Sequence, residues 1–188
     1  DMNQIGVSFV DISTGEFYLA EGQQEYINKL LQNFQPSEIL YSRSKKLIFD
    51  QLFSEQYYAY ALEDWIFTSE YTTKKLLHHF QVSNLKGFGI ENQIFGQIAA
   101  GAILHYLEST ENHNPKHLSQ ISRLINEDFV WMDRFTIRNL ELVEPLHLEG
   151  KSLIQVLDET YTAMGSRLLR KWILMPLLDI KKIQQRLG

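Results

Sequence analysis

Hydrophobic and polar positions alternate along this chain in two different rhythms. Residues 5–12 (Ile5 to Ile12) are apolar at nearly every position, the pattern of a strand buried on both faces. Ser13, Thr14 and Gly15 supply turn residues, and residues 16–20 return as a second strand, which predicts a hairpin over 5–20. Ile27, Leu30, Leu31 and Phe34 fall on one face of a helix over 24–34, stopped by Pro36. Residues 38–41 read as a third strand. Residues 44–53 read as a short helix with Leu47, Ile48, Leu52 and Phe53 inward, and the aromatic run 57–62 as a fourth strand. Thr68 is placed to cap a helix carrying Leu76, Leu77 and Phe80, with Lys74, Lys75, His78 and His79 interleaved. Residues 93–108 form a helix apolar almost all round, expected in a core. Its Gly96, Ala99, Ala100 and Gly101 suit close approach to a sheet.

The rhythm changes after the polar, turn-rich residues 111–115, where a domain boundary is expected, giving domains 1–115 and 116–188. Residues 121–133 read as extended and apolar, and 134–141 as a short helix. Helices over 152–157 and 162–175 end at Pro176, with Leu168, Leu169, Trp172 and Ile173 on the core side. Asp179 caps a last helix striped by Ile180, Ile183 and Leu187. The stripe stops at Gly188 with nothing after it to pack on, and the chain opens Asp1-Met2, so a piece of a longer protein is expected. The fold class is therefore α/β, a mixed sheet flanked by helices, followed by a truncated, mainly helical segment.

Composition sharpens this picture. The chain has 188 residues, 44% hydrophobic and 22% charged, enough apolar side chain for a core. It has no cysteine, which excludes disulfides and zinc–thiolate sites. Its apolar runs are too short to span a membrane. The net charge of −5 is divided unevenly. Residues 1–115 carry 7 lysines and arginines against 14 aspartates and glutamates, and residues 116–188 carry 11 against 9. An acidic first part argues against a free-standing nucleic-acid binder.

Candidate chemistry is sparse. Asp11, late on the first strand beside Thr14 and Gly15, stands where ribonuclease-H-like nucleases keep a metal-binding carboxylate. Such a site needs several converging carboxylates, and the later strands bring only Glu38 and Glu63 at their ends. The other reading is that Asp11 and Thr14 hold the turn through side chain-to-backbone hydrogen bonds. Gly150-Lys151-Ser152 resembles the end of a phosphate loop, but Pro145 stands where the pattern needs glycine, leaving Ser152 as a helix cap. The six histidines show no metal-ligand spacing and are expected at the surface. Arg167, Arg170 and Lys171 share a helical face that either meets phosphate or an acidic neighbour, or is simply solvated. No nucleophile has a base in register, so neither a catalytic residue nor a metal site is expected here.

Two stretches carry a family resemblance. One is Phe129-Val130-Trp131-Met132-Asp133 with Thr136-Ile137-Arg138-Asn139-Leu140-Glu141, continuing through Val156-Leu157-Asp158 to Thr162-Ala163-Met164-Gly165-Ser166-Arg167-Leu168-Leu169 and Pro176-Leu177. It resembles the start of the lever, or core, domain of MutS-type DNA mismatch repair proteins. The other is Gly6 to Phe17 with Gly87-Phe88-Gly89-Ile90-Glu91-Asn92 and Ala99-Ala100-Gly101-Ala102, which is similar to the connector domain of that family. The resemblance implies a ribonuclease-H-like fold for the first part. It implies a cytoplasmic, nucleoid-associated bacterial parent, a homodimer that binds mismatched DNA, hydrolyses ATP with Mg²⁺ and recruits MutL. The family's Phe-x-Glu wedge, clamp and ATPase have no counterpart in these residues, so no cofactor is expected in the piece itself. The connector's implied role is mechanical linkage and a face for MutL. The polar side of the helix over 69–80, with Lys74, Lys75 and nearby Gln81, is the expected location of that face. Asp11, Thr14, Gly15, Arg138, Asn139, Gly165, Ser166 and Arg167 are expected to be structural. The run 165–167 is read as a turn-and-pairing element of the lever.

Overall fold

A computed structural model describes residues 4–53, 57–110, 117–125, 129–132, 134–147 and 149–187. The expected boundary run 111–115, with His113, and the end of the extended lead-in at Asp133 lie outside them. The chain divides into two compact units, residues 1–31 with 35–124 and residues 32–34 with 125–188.

The first unit opens with the expected hairpin. Strands β1 (Ile5–Asp11) and β2 (Glu16–Gly22) pair antiparallel from Ile5↔Gly22 to Asp11↔Glu16. A short strand from the end of the unit, β5 (Ser122–Arg123), joins β2 in parallel, and Leu124 N–H donates to the Leu19 carbonyl at 2.8 Å. Leu118 and Ile121 sit in the same core, so the compact unit extends past the boundary expected at 115/116. Between them come α1 (Gln24–Phe34), β3 (Ile39–Ser42), α2 (Lys46–Phe53), β4 (Ala59–Leu62), a 3-10 turn (Asp64–Phe67), α3 (Ser69–Phe80) and α4 (Ile94–Ser109). Strands β3 and β4 pair in parallel in a sheet of their own, so the described strands make two small sheets rather than the one mixed sheet expected.

Helix α4 explains how two sheets share one unit. One cluster, with Phe17, Leu19, Leu76, Ile90, Ala100 and Leu104 at its centre, lies toward the hairpin and α3. A second, with Leu62, Ile66 and Ala102, lies toward the β3–β4 sheet. A helix sandwiched this way must be apolar on most of its surface. Two close approaches depend on glycine. A Cβ at Gly6 of β1 would fall 2.2 Å from the Phe95 carbonyl carbon, and one at Gly101 of α4 would fall 2.4 Å from Thr72 Cβ on α3.

Three local expectations are corrected. Only Phe9 of β1 is buried and the rest is half-buried, because an antiparallel hairpin need not be covered on both faces. Helix α2 buries the stripe of Phe49, Leu52 and Phe53 only partly, with Phe49 stacked on Tyr41 at 4.6 Å, and leaves Leu47 77% exposed and Ile48 exposed. Thr68 occupies the N-cap position of α3, but its hydroxyl donates to the Trp65 carbonyl instead of accepting from the helix.

The second unit is helical, with α5 (Arg134–Asn139), α6 (Leu153–Leu157), α7 (Ala163–Leu174) and α8 (Ile180–Leu187). Phe129 bridges to Leu177, and Val130 N–H donates to the Pro176 carbonyl. Ser152 caps α6 in a reciprocal capping box with Gln155. Asp179 accepts from the backbone N–H groups of Lys181 and Lys182, the expected cap of α8. Leu174 and Met175 are buried, whereas Leu168 and Trp172 are exposed rather than core. The Arg186 guanidinium lies 4.6 Å from the Trp172 ring centroid, so the long cation takes the place of a packed layer. Ile180, Ile183 and Leu187 line an exposed face of α8.

Candidate functional site

Helix α3 carries the residues expected on a partner face. Thr72 and Leu76 turn inward, and Lys74 stands exposed on the opposite side. Lys74 pairs with Glu70 one turn back at 2.6 Å, a fully solvated i,i+4 pair that contributes little on its own. Lys75 differs from the expectation of an exposed charge. Its side chain is only 17% exposed, its ammonium pairs with Glu108 of α4, and it sits 6.0 Å from the Tyr71 ring centroid. It therefore acts as a clip between α3 and α4. Gln81 ends α3 in the left-handed conformation (φ 55) and is exposed.

The Asp11 turn is organised around its own backbone. Asp11 Oδ1 accepts from Ser13 N–H at 2.9 Å, from the Ser13 hydroxyl and from Thr14 N–H at 3.3 Å. Thr14 Oγ1 accepts from Glu16 N–H, and Gly15, at φ 75, donates to the Asp11 carbonyl. This is the side chain-closed turn that Asx and threonine residues favour. His117 Nε2 lies 2.7 Å from the Ile12 carbonyl, tying the end of the unit to this turn. Among the described residues no three His, Asp or Glu side chains gather as a metal would require.

In the second unit, Arg138 and Asn139 end α5 and are exposed. The chain then turns through Glu141 in the left-handed conformation (φ 48). The Glu141 and Leu142 carbonyls accept from the first N–H groups of α6, so the α5 terminus caps the next helix through its backbone. Gly165, Ser166 and Arg167 lie in the first turn of α7, within the helix expected over 162–175. Gly165 N–H donates to Thr162 Oγ1 at 3.0 Å, and the Ser166 hydroxyl donates to Asp158. Asp158 also accepts from the Thr160 N–H and hydroxyl, and these donors hold its carboxyl below the usual carboxylate range.

One cluster escaped the sequence reading. Trp65, from the 3-10 turn, meets Tyr71 of α3 and His105 of α4 edge-on, with centroids 5.0 and 5.3 Å apart. Tyr71 Oη lies 2.6 Å from His105 Nδ1. No periodicity links three residues from three elements. His105 and His79 are half-buried rather than surface residues, His79 Nε2 lying 2.8 Å from the Leu118 carbonyl. Burial, with the nearby Lys75 ammonium, pushes His105 below its ordinary value, and Glu108 opposes this more weakly. The folded state thus holds His105 neutral while the unfolded chain takes up a proton near pH 6.5. This contribution to stability is present above pH 6.5 and is lost as the pH falls through the lower folded value. Urea unfolding between pH 7.5 and 5 should show a decline that His105→Gln reduces. Equal pH slopes in the two proteins would remove His105 as its cause.

The order of these elements is matched by two family models. MutS domain II covers residues 1–121, well over half of the chain, and MutS domain III covers residues 135–188. The chain belongs to the MutS family. DNA mismatch repair protein MutS of Cytophaga hutchinsonii is 52% identical over 98% of this chain, and that of Parabacteroides distasonis is 49% identical over 96%. The Flavobacterium psychrophilum protein of the same name is 47% identical over 97%. The chain spans only 22%, 21% and 21% of these relatives, about a fifth of their length. The β1–β2 turn at Asp11 and the α3 face thus belong to MutS domain II, and the α5–α7 signature to MutS domain III.

Proposed function

We propose that this chain is a non-catalytic linking piece of a longer mismatch repair protein. In this reading the first unit is a ribonuclease-H-like connector and the second the start of the lever. The parent, a homodimer, binds mismatched duplex DNA and ATP with Mg²⁺ and recruits MutL. The observation that carries the proposal is the consecutive match to MutS domains II and III over nearly all of the chain. The residues here do not fit the parent's nucleotide or metal. Gly150-Lys151-Ser152 leads into the α6 capping box, and Asp11 Oδ1 is spent on its own turn. The latter also weighs against a nuclease centred on Asp11. No helix among the described residues is long and apolar enough to cross a membrane.

The MutL face is assigned to the exposed side of α3, where Lys74 and Gln81 are open to solvent and Lys75 braces the helix from behind. In the full-length protein loaded on mismatched DNA, Lys74→Ala with Gln81→Ala is expected to weaken MutL recruitment by about five-fold, roughly 1 kcal/mol, through lost contacts. Mismatch affinity should be unchanged. Surface-immobilised duplex with MutL as analyte measures both, and unaltered recruitment would remove α3 from the interface.

A further inference from the structure

An aromatic strip runs beside this face. Tyr58 is 72% exposed, Trp65 53% and Tyr60 49%, within eight consecutive residues of an acidic unit. Tyr60 and Trp65 are braced from below. Tyr60 packs on Tyr106 of α4 at 5.8 Å, and Trp65 packs on the neighbouring His105 and on Tyr71. The bracing residues are themselves fixed, Tyr106 by donating to both Glu38 carboxylate oxygens and Tyr71 by His105. The two braces, His105 and Tyr106, are consecutive residues of α4. Large aromatic rings left exposed yet held in place are the residues that anchor protein interfaces, because little side-chain freedom remains to be lost on binding.

The rim decides the chemistry of the occupant. Glu38, Glu63, Asp64, Glu70 and Glu108 border the strip, against Arg43, Lys74 and Lys75. All three cations are already paired with Glu63, Glu70 and Glu108. Asp64 accepts from the Ser42 hydroxyl and the Ser44 N–H, donors that leave its negative charge in place. Such a rim repels a phosphate backbone, which rules against stacking nucleic-acid bases on these rings. It favours guanidinium or ammonium groups, which also bind over indole and phenol faces.

We propose that the strip of Tyr58, Tyr60 and Trp65 docks an arginine- or lysine-bearing segment of the protein partner recruited to this unit. This rests on the reading of α3 as a partner face and adds to it an aromatic anchor and the charge of what lies on it. The test uses the full-length protein on mismatched DNA with MutL as the probe. Trp65→Ala is expected to lower affinity about ten-fold or more, as interface anchors do. Tyr58→Ser, at a position with little packing to lose, should lower it by a smaller factor with an unchanged melting curve. Glu63→Lys should weaken binding and reduce its salt dependence. If Trp65→Ala and Tyr58→Ser leave MutL affinity unchanged while Lys74→Ala with Gln81→Ala lowers it, the strip is overturned and the α3 reading stands. If all leave it unchanged, both fall. Stronger binding on Glu63→Lys would overturn the cationic occupant, as would single-stranded DNA binding by the wild type that Trp65→Ala abolishes.

Discussion

Gly101→Ala is expected to destabilise the first unit by about 1–3 kcal/mol, the usual cost of overpacking a filled core. On an open helix the same change would stabilise by up to roughly 1 kcal/mol, because alanine loses less backbone freedom than glycine. Here the new methyl would lie 2.4 Å from Thr72 Cβ and 2.8 Å from Thr72 Cα. Thr72 is fully buried, and its hydroxyl is bonded to the Thr68 carbonyl at 2.8 Å, so it has neither room nor a free rotamer to yield. Relief requires α3 and α4 to separate, which opens the core holding Leu76 and Leu104. Gly87→Ala is the control, since a Cβ there meets nothing within 4 Å. Urea midpoints should fall for the first variant and stay for the second. A Gly101→Ala protein as stable as the wild type would show that the helices do not pack at this distance.

Leu104→Ala should cost more, about 2–5 kcal/mol, from lost burial and the cavity left behind. Leu104 is fully buried near the middle of α4, in the cluster that joins β2, α3 and the residues after α4. Against a total stability of roughly 5–15 kcal/mol, that loss would bring the unit close to unfolding at moderate temperature. Leu47→Ala removes the same atoms from α2, where the side chain is largely exposed, and should change stability by less than about 0.5 kcal/mol. Chemical denaturation followed by tryptophan fluorescence compares the two directly. Similar losses in both would mean that the two side chains are equally buried, contrary to the structure.

Much of the fold was legible because local rules and tertiary packing agree. The hairpin follows from apolar strands around Ser13-Thr14-Gly15, and α1 from its single apolar stripe, where Ile27, Leu30 and Leu31 are all buried. The Ser152 and Asp179 caps were legible because a cap is a bond between near neighbours. Helix α2 was misread in part. Leu47 and Ile48 satisfy a helical stripe as well as Phe49 and Phe53 do, and only the position of Tyr41 on β3 selects the latter. Trp172 was misread for a similar reason, since an apolar residue on the inner side of an amphipathic helix is core only where another element covers it.

The candidate site divides the same way. The Asp11 turn could be argued from Asp11, Ser13, Thr14 and Gly15 alone, because every bond in it spans five residues or fewer. Lys75 could not, since its partner Glu108 lies 33 positions away on another helix. By itself the sequence determined most of the elements, the Ser152 and Asp179 caps, the acidic first part and, through residues 129–142 and 162–177, the family. Only the tertiary structure decided that β3 and β4 form a separate sheet, that Lys75 is a brace, and that Trp65, Tyr71 and His105 meet. Periodicity reports which side of an element avoids water, whereas contacts between elements depend on how closely backbones approach; the small residues of α4 suit a close approach to a sheet, but only the structure shows that Gly101 meets Thr72 of helix α3.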